Sequence, residues 1–182
     1  MSRDLALGLF DCGIVQFGRF VSPSGTAPIR FDPLMLPSYP AVVRMFAEAC
    51  ARRIQMADGD RLCCTLNTLA LGIVVGQMTN QPILYTPSLE DEPLRTFIGA
   101  YDVGHPALML WSWSFSEMSA AWAEQMRQVG LVLERQLVLI GDEDSVLPLT
   151  VLLEHLVAAK RILPVQVDTC LHWYEQVRLH QG

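Results

Sequence analysis

Three short stretches of this chain carry side chains able to bind or transform a small molecule. The first, Thr65-Leu66-Asn67-Thr68, offers two hydroxyls and an amide. The second runs from Trp111 through Ser112, Trp113, Ser114 and Phe115 to Ser116 and Glu117, alternating rings with hydroxyls. The third, Asp142-Glu143-Asp144-Ser145, concentrates carboxylates. In an extended segment, alternation places Trp111, Trp113 and Phe115 on one side and Ser112 and Ser114 on the other. Those rings either fill space in a core or form a platform on which a planar ligand, such as a pyrimidine or nucleoside, stacks. Ser114-x-x-Glu117 has the spacing of a capping box, in which the glutamate closes the first turn of a helix. A carboxylate at that end of the helix dipole repels phosphate; its other use would be contact with a cationic ligand. The acidic triplet reads as a solvated turn and helix cap, with divalent-cation binding as the alternative.

Other chemistries are excluded by spacing. His105, His155, His172 and His180 form no HxH or HExxH pattern, so no metal site is expected. The five cysteines, Cys12, Cys50, Cys63, Cys64 and Cys170, are odd in number and contain no CxxC, which fits neither a disulfide framework nor a zinc site. They read as small core residues, the adjacent Cys63 and Cys64 pointing to opposite faces of a strand. There is no phosphate-binding P-loop, GxGxxG or GxSxG.

The elements that must position these loops can be read from periodicity. A helix is expected over Arg3–Val15, then short strands at Phe20–Ser22 and Ile29–Asp32 around the Pro23-Ser24-Gly25 turn. Pro40–Ile54 reads as a helix, with Pro40 at its first position and Val42, Val43, Phe46 and Cys50 on one face. Strands follow at Arg61–Thr65, Pro82–Tyr85, Ala107–Trp111, Gln136–Ile140 and Pro164–Val167, interleaved with helices at Thr68–Gln77, Ser116–Val129, Leu147–Lys160 and Thr169–Leu179, the last capped by Asp168. Strand–helix alternation of this length predicts a mostly parallel sheet of five strands covered on both faces. In such sheets ligands bind beyond the carboxyl ends of the strands, where all three stretches fall.

Composition narrows the partners. With 182 residues, 51% of them apolar and 18% charged, the chain suits one well-packed domain. Its net charge of −6 argues against nucleic acid and anionic membrane. No secretory signal or membrane-length apolar run is seen, which points to the cytoplasm. Of thirteen basic residues, only Lys160 is a lysine.

The segment from Leu5 to Arg53 resembles the N-terminal region of orotate phosphoribosyltransferases, where a helix precedes a K-F-G-x-F-x-L-x-S-G-x-x-S-P-I-Y-x-D string. Phe17, Gly18, Phe20, Ser24, Gly25, Pro28, Ile29 and Asp32 occupy matching positions, and the later element order also fits. The resemblance implies a type I phosphoribosyltransferase-like fold: a small hood (1–40, helix and hairpin) on an α/β core (41–182), as one domain and a homodimer. It also implies a strand ending in two acids that hold ribose hydroxyls, then a glycine-containing loop that cradles a phosphate. Here Ala107–Leu110 is followed by Trp111-Ser112 in place of the acids, and the loop lacks glycine. Across Tyr85–Gly104, where the family carries diphosphate-neutralising cations, Glu90, Asp91, Glu92 and Asp102 stand against Arg95 alone. Pro23 replaces the hood lysine, and Leu66-Asn67-Thr68 replaces Pro-Tyr-Thr.

These departures predict a protein without transferase activity and without catalytic residues, acting as a small-molecule-binding, regulatory or partner subunit. The remnant ligand site would comprise Ser24, Gly25, Thr65, Asn67, Thr68, Trp111, Ser112, Trp113, Ser114 and Ser116, taking a planar or nucleotide-like ligand with no cofactor. The alternatives are a divergent active enzyme of pyrimidine nucleotide biosynthesis, which would need Mg2+, and a purely structural interaction module.

Overall fold

The computed structural model describes residues 2–22, 25–54, 59–89, 96–113 and 119–179. Helix α1 (Ser2–Asp11) buries Leu5, Ala6 and Leu9. It stops where Gly13 adopts φ +70°, and the Ile14 and Gly13 N–H groups donate back to the Leu9 and Phe10 carbonyls, each at 2.9 Å. A left-handed glycine closes helices this way, because it turns the chain while satisfying carbonyls the helix leaves open. The expected helix to Val15 is therefore cut short, and Val15 opens a strand instead.

That strand, β1 (Val15–Ser22), pairs antiparallel with β2 (Gly25–Phe31), a longer hairpin than the sequence suggested. Pro23 and Ser24 lie outside the described residues; Gly25, at φ +114°, fits the turn expected there. Phe17 pairs with Ile29 and Phe20 with Ala27, so Gly18 and Arg19 bulge opposite Pro28. Proline has no N–H to give the ladder, which makes this the weak point in the pairing. A 3-10 turn (Pro33–Ser38) leads to helix α2 (Pro40–Ala51), which buries Val42, Val43, Phe46 and Cys50 as its spacing predicts.

The core sheet contains β3 (Arg61–Cys64), β4 (Ile83–Tyr85), β5 (His105–Trp113), β6 (Leu131–Gly141) and β7 (Leu147–Pro148). All are parallel, in the order β4-β3-β5-β6-β7. Helices α3 (Leu69–Thr79), α4 (Ser119–Gln128), α5 (Leu149–Ala158) and α6 (Pro164–Leu179) complete the α/β architecture expected from the sequence. Two apolar clusters flank the sheet: Cys64, Leu108 and Leu110 face the hood, α2 and α5, whereas Cys63, Met109 and Trp111 face Trp122 and Met126 of α4. The adjacent cysteines do face opposite sides. Among the described residues no helix is long and apolar enough to cross a membrane.

Two strands differ from expectation. The fifth strand is Leu147–Pro148, and the segment expected as a strand, Pro164–Val167, is the first turn of α6. Pro164 sits at the first helical position, and the Gln166 side-chain oxygen accepts the Leu163 N–H at 2.8 Å, half of a capping box. The Val-Gln-Val alternation imitated a strand, but Asp168 lies inside the helix and does not cap it. β6 begins five residues before the expected Gln136, because a bulge (Ala107 opposite Leu133, Leu108 opposite Arg135) absorbs Glu134, and Arg135 donates to the Arg53 carbonyl at 3.0 Å.

Candidate functional site

The carboxyl ends of β3, β4 and β5 converge on a cluster of hydroxyls. Thr65, Thr68, Thr86 and Ser88 are fully buried and Ser112 nearly so. Thr68 Oγ1 donates to the Leu110 carbonyl at 3.0 Å and accepts the Thr65 N–H at 3.2 Å. One short side chain thus ties the loop after β3 to the end of β5. The Leu66 N–H reaches the Ser88 carbonyl (3.1 Å), the Thr86 N–H reaches the Cys64 carbonyl (3.0 Å), and the Ser88 N–H reaches Thr86 Oγ1 (3.3 Å). Thr86 and Ser88 were not among the expected site residues. Their signal was a Thr-Pro-Ser turn directly after a strand. Asn67 Oδ1 is buried in this loop without a hydrogen-bond partner, a state that costs about 1–3 kcal/mol.

Helix α3 rises from this loop with its small residues inward. A Cβ on Gly72 would overlap the Cys64 sulfur, and one on Gly76 would stand 2.7 Å from Ile83 Cδ1. Glycine at both positions lets the helix lie close against β3 and β4.

At the end of β5 the chemistry changes. Trp111 is 1% exposed and meets Trp122 of α4 edge to face, the ring centroids 5.1 Å apart at 80°. Both indole N–H groups are buried without hydrogen-bond partners, so this contact is made by rings alone. Trp113 stacks on Phe31 of β2, centroids 6.0 Å apart at 28°. The two rings therefore do not share one side as alternation predicted. Trp113 is the strand's last residue, where the hood hairpin rather than α4 supplies the apolar partner. Ser114, Phe115, Ser116 and Glu117 lie outside the described residues, as does most of the acidic run, Glu90 to Arg95. Of the expected site residues, Thr65, Asn67 and Thr68 share the loop after β3, which Thr68 ties to β5 one residue before Trp111 and Ser112; Trp111 and Trp113 pack on different partners, and Gly25 lies at the turn of the hood hairpin.

The loop after β6 concentrates carboxylates, with the Arg53 guanidinium donating to the Asp144 carbonyl at 3.0 Å. A cleft of about 490 Å³ after β6 is lined by Asp142, Glu143, Asp144 and Glu175, with Thr150 and Tyr174. The triplet forms an exposed turn closed by the Ser145 hydroxyl and N–H donating to the Asp142 carbonyl. It leads into β7 and does not cap α5, whose N-cap is Pro148. Among the described residues no three His, Cys, Asp or Glu side chains could together hold a metal ion. Lys160 follows the C-terminus of α5, about 15 Å along the helix from the end that faces the loops. Burial pushes the thiols of Cys50 and Cys63 far above their ordinary range and that of Cys170 to about 11, so none is a ready nucleophile.

This arrangement of sheet, hood and carboxyl-end loops is found in solved structures. UMP synthase from Leishmania donovani superposes on 96% of the chain with a TM-score of 0.84 at 23% identity; the chain spans 42% of that protein's length. Orotate phosphoribosyltransferase from Aeropyrum pernix covers 84% of the chain, over 99% of its own length, at TM-score 0.69 and 19% identity. The Francisella tularensis orotate phosphoribosyltransferase matches over 92% of both chains at TM-score 0.65 and 12% identity. No protein-family model and no curated protein matches the sequence. Identities this low speak to architecture alone, and on architecture the hood string, the element order and the superpositions agree: this chain has the fold of the orotate phosphoribosyltransferases.

Proposed function

We propose that the chain is an orotate phosphoribosyltransferase-like protein without transferase activity, serving as a small-molecule-binding, regulatory or partner subunit. The observation that carries this reading is the end of β5. The resemblance assigns two ribose-holding carboxylates to this position, and here stand a fully packed indole, Trp111, and a nearly buried hydroxyl, Ser112. Transition-state stabilisation in phosphoribosyl transfer depends on positioned charge, and one such contact is worth about 2–4 kcal/mol, or roughly 10² to 10³ in rate. The acidic cleft after β6 adds repulsion toward a polyanionic substrate.

The test is a spectrophotometric orotate assay with pure protein, Mg2+, orotate and phosphoribosyl diphosphate. No conversion is expected. Turnover at ordinary enzyme rates, abolished by Ser112→Trp, would overturn the proposal in favour of a divergent transferase. The intact Thr65–Thr68–Leu110 network is the feature that favours that second reading. A thermal-shift screen across pyrimidines, nucleotides and phosphoribosyl diphosphate separates a binding subunit from a purely structural module, because a ligand that binds only the native state raises the melting temperature.

The partner in this reading is a second copy of the chain, docked through α3. Residues 66–80 contain no charged side chain, and although Leu71, Gly72, Val75 and Gly76 face inward, large apolar residues remain on the outer face. Leu66, Ile73 and Met78, joined by Leu34 and Met35 of the 3-10 turn, are each 41–51% exposed. A helix apolar all round is ordinarily buried all round, and an uncharged patch pairs with its own copy without like-charge repulsion. Sedimentation at micromolar concentration should give a dimer and Ile73→Lys a monomer. A monomeric parent protein contradicts this assignment.

A further inference from the structure

A second, independent site lies on the other side of the hood. Hairpin β1–β2 and helix α6 diverge to leave an open groove of about 650 Å³, none of whose lining residues belongs to the loops at the carboxyl ends of the strands. One wall is the bulge of Gly18 and Arg19 opposite Pro28, where backbone groups are released from the hairpin ladder. The other wall is a helical stripe carrying Asp168, His172 and Trp173. Both walls are fixed from behind: Ala27 and Ile29 on the hairpin, and Cys170 and Val177 on α6, are buried. His172 is further held by Gln176, the two side-chain nitrogens 2.9 Å apart.

The charges in this groove are complementary yet separate. Arg19 projects from the hairpin and Asp168 from the helix, and they make no ion pair with each other or, among the described residues, with any other group. A groove presenting a cation from one wall and an anion from the other, with an indole beside the anion on the helix wall, matches a molecule that carries both charges and a ring. We infer that this groove binds an α-amino acid with an aromatic side chain. Arg19 takes the carboxylate through its planar fork of donors, Asp168 takes the ammonium group, and Trp173 packs against the ring. The geometry of the hood is thereby open to control by a metabolite chemically unrelated to nucleotides.

The probe is L-phenylalanine, titrated into the full-length, isotope-labelled protein and followed by NMR. Saturable shifts are expected at the Trp173 indole and at the amides of Gly18, Arg19 and Thr169. Phenethylamine lacks the carboxylate and 3-phenylpropionate lacks the ammonium group, so each should bind at least about tenfold more weakly, since one charged hydrogen bond is lost. Arg19→Gln and Asp168→Asn should each weaken L-phenylalanine by a similar factor. Both side chains are exposed, so neither change should alter the fold, which circular dichroism checks. Three results would each overturn the inference: no saturable shift at these residues, equal affinity for the singly charged analogues, or undiminished binding by either variant.

Discussion

The carboxyl ends of β3 and β5 lie side by side, joined by the hydrogen bond from Thr68 to Leu110, yet they are built on opposite principles. After β3 the chain keeps a ligand loop's backbone: buried hydroxyls satisfy one another, and glycines on α3 hold the helix close to the sheet. The last residues of β5 carry rings instead, and the indole N–H groups of Trp111 and of Trp122 against it are buried without partners. The difference separates what the fold needs from what catalysis needs. The Thr68 hydroxyl bonds the backbone of Thr65 and Leu110 and so helps the sheet to end as it does. An acid pair at the end of β5 would serve a ligand and not the sheet, so apolar residues can stand there without breaking the backbone network.

The sharpest test of this contrast is Trp111→Ala. If the indole is core, its loss should cost about 3–5 kcal/mol in chemical denaturation, typical of a large aromatic removed from a packed interior. A cost below about 1 kcal/mol would mean that the ring serves as a platform for a ligand. On the other side, Gly72→Ala should cost about 1–3 kcal/mol, because the added methyl group meets the Cys64 sulfur and the helix must move. At roughly 2–4 °C per kcal/mol for a chain of this size, calorimetry resolves both effects.

Thr68→Val probes the link between the two ends. It keeps the shape of the side chain but strands the Thr65 N–H, so a loss of about 1–3 kcal/mol is expected, with Thr68→Ser close to the parent protein. Equal stability of the Val and Ser variants would show that the network is dispensable. The smallest effect is one of pH. The Cys170 thiol moves from an ordinary value of 9.0 to about 11 because burial disfavours the thiolate. Its contribution to stability is complete below about pH 9 and is lost as pH rises toward 11, with Cys50 and Cys63 titrating higher still. Denaturation midpoints should be level up to about pH 9 and fall above it. A decline that begins near neutrality would contradict this.

Much of the scaffold was legible in the sequence because local rules governed it. Pro40 and the spacing of Val42, Val43, Phe46 and Cys50 gave α2 nearly to its ends, and adjacency alone put Cys63 and Cys64 on opposite faces. Legibility failed where two local rules competed. Val165-Gln166-Val167 has a strand's alternation, but Pro164 and the Gln166 cap turn it into helix. Glu134 and Arg135 interrupt an apolar run, and β6 still passes through them by bulging. The polar cluster at the strand ends was partly legible: Thr65, Asn67, Thr68 and Ser112 read as polar residues after strands, whereas Thr86 and Ser88 follow a strand of only three residues, too short to give a clear pattern.

The sequence by itself determined which side chains are available at the carboxyl ends: hydroxyls, indoles and carboxylates, with a single lysine far along the chain. Electrostatic character is a sum over residues, so it follows from composition and order. Tertiary structure alone decided what each side chain meets. Trp111 and Trp113 are two residues apart in one strand, yet one packs against Trp122 and the other against Phe31. Glycines 72 and 76 face the sheet while Ile73 and Met78 face outward, and residues from the two ends of the chain, Arg19 and Asp168, come to line one groove. Backbone geometry fixes the direction of a side chain from its own neighbours in sequence, but what waits in that direction is placed by segments tens of residues away.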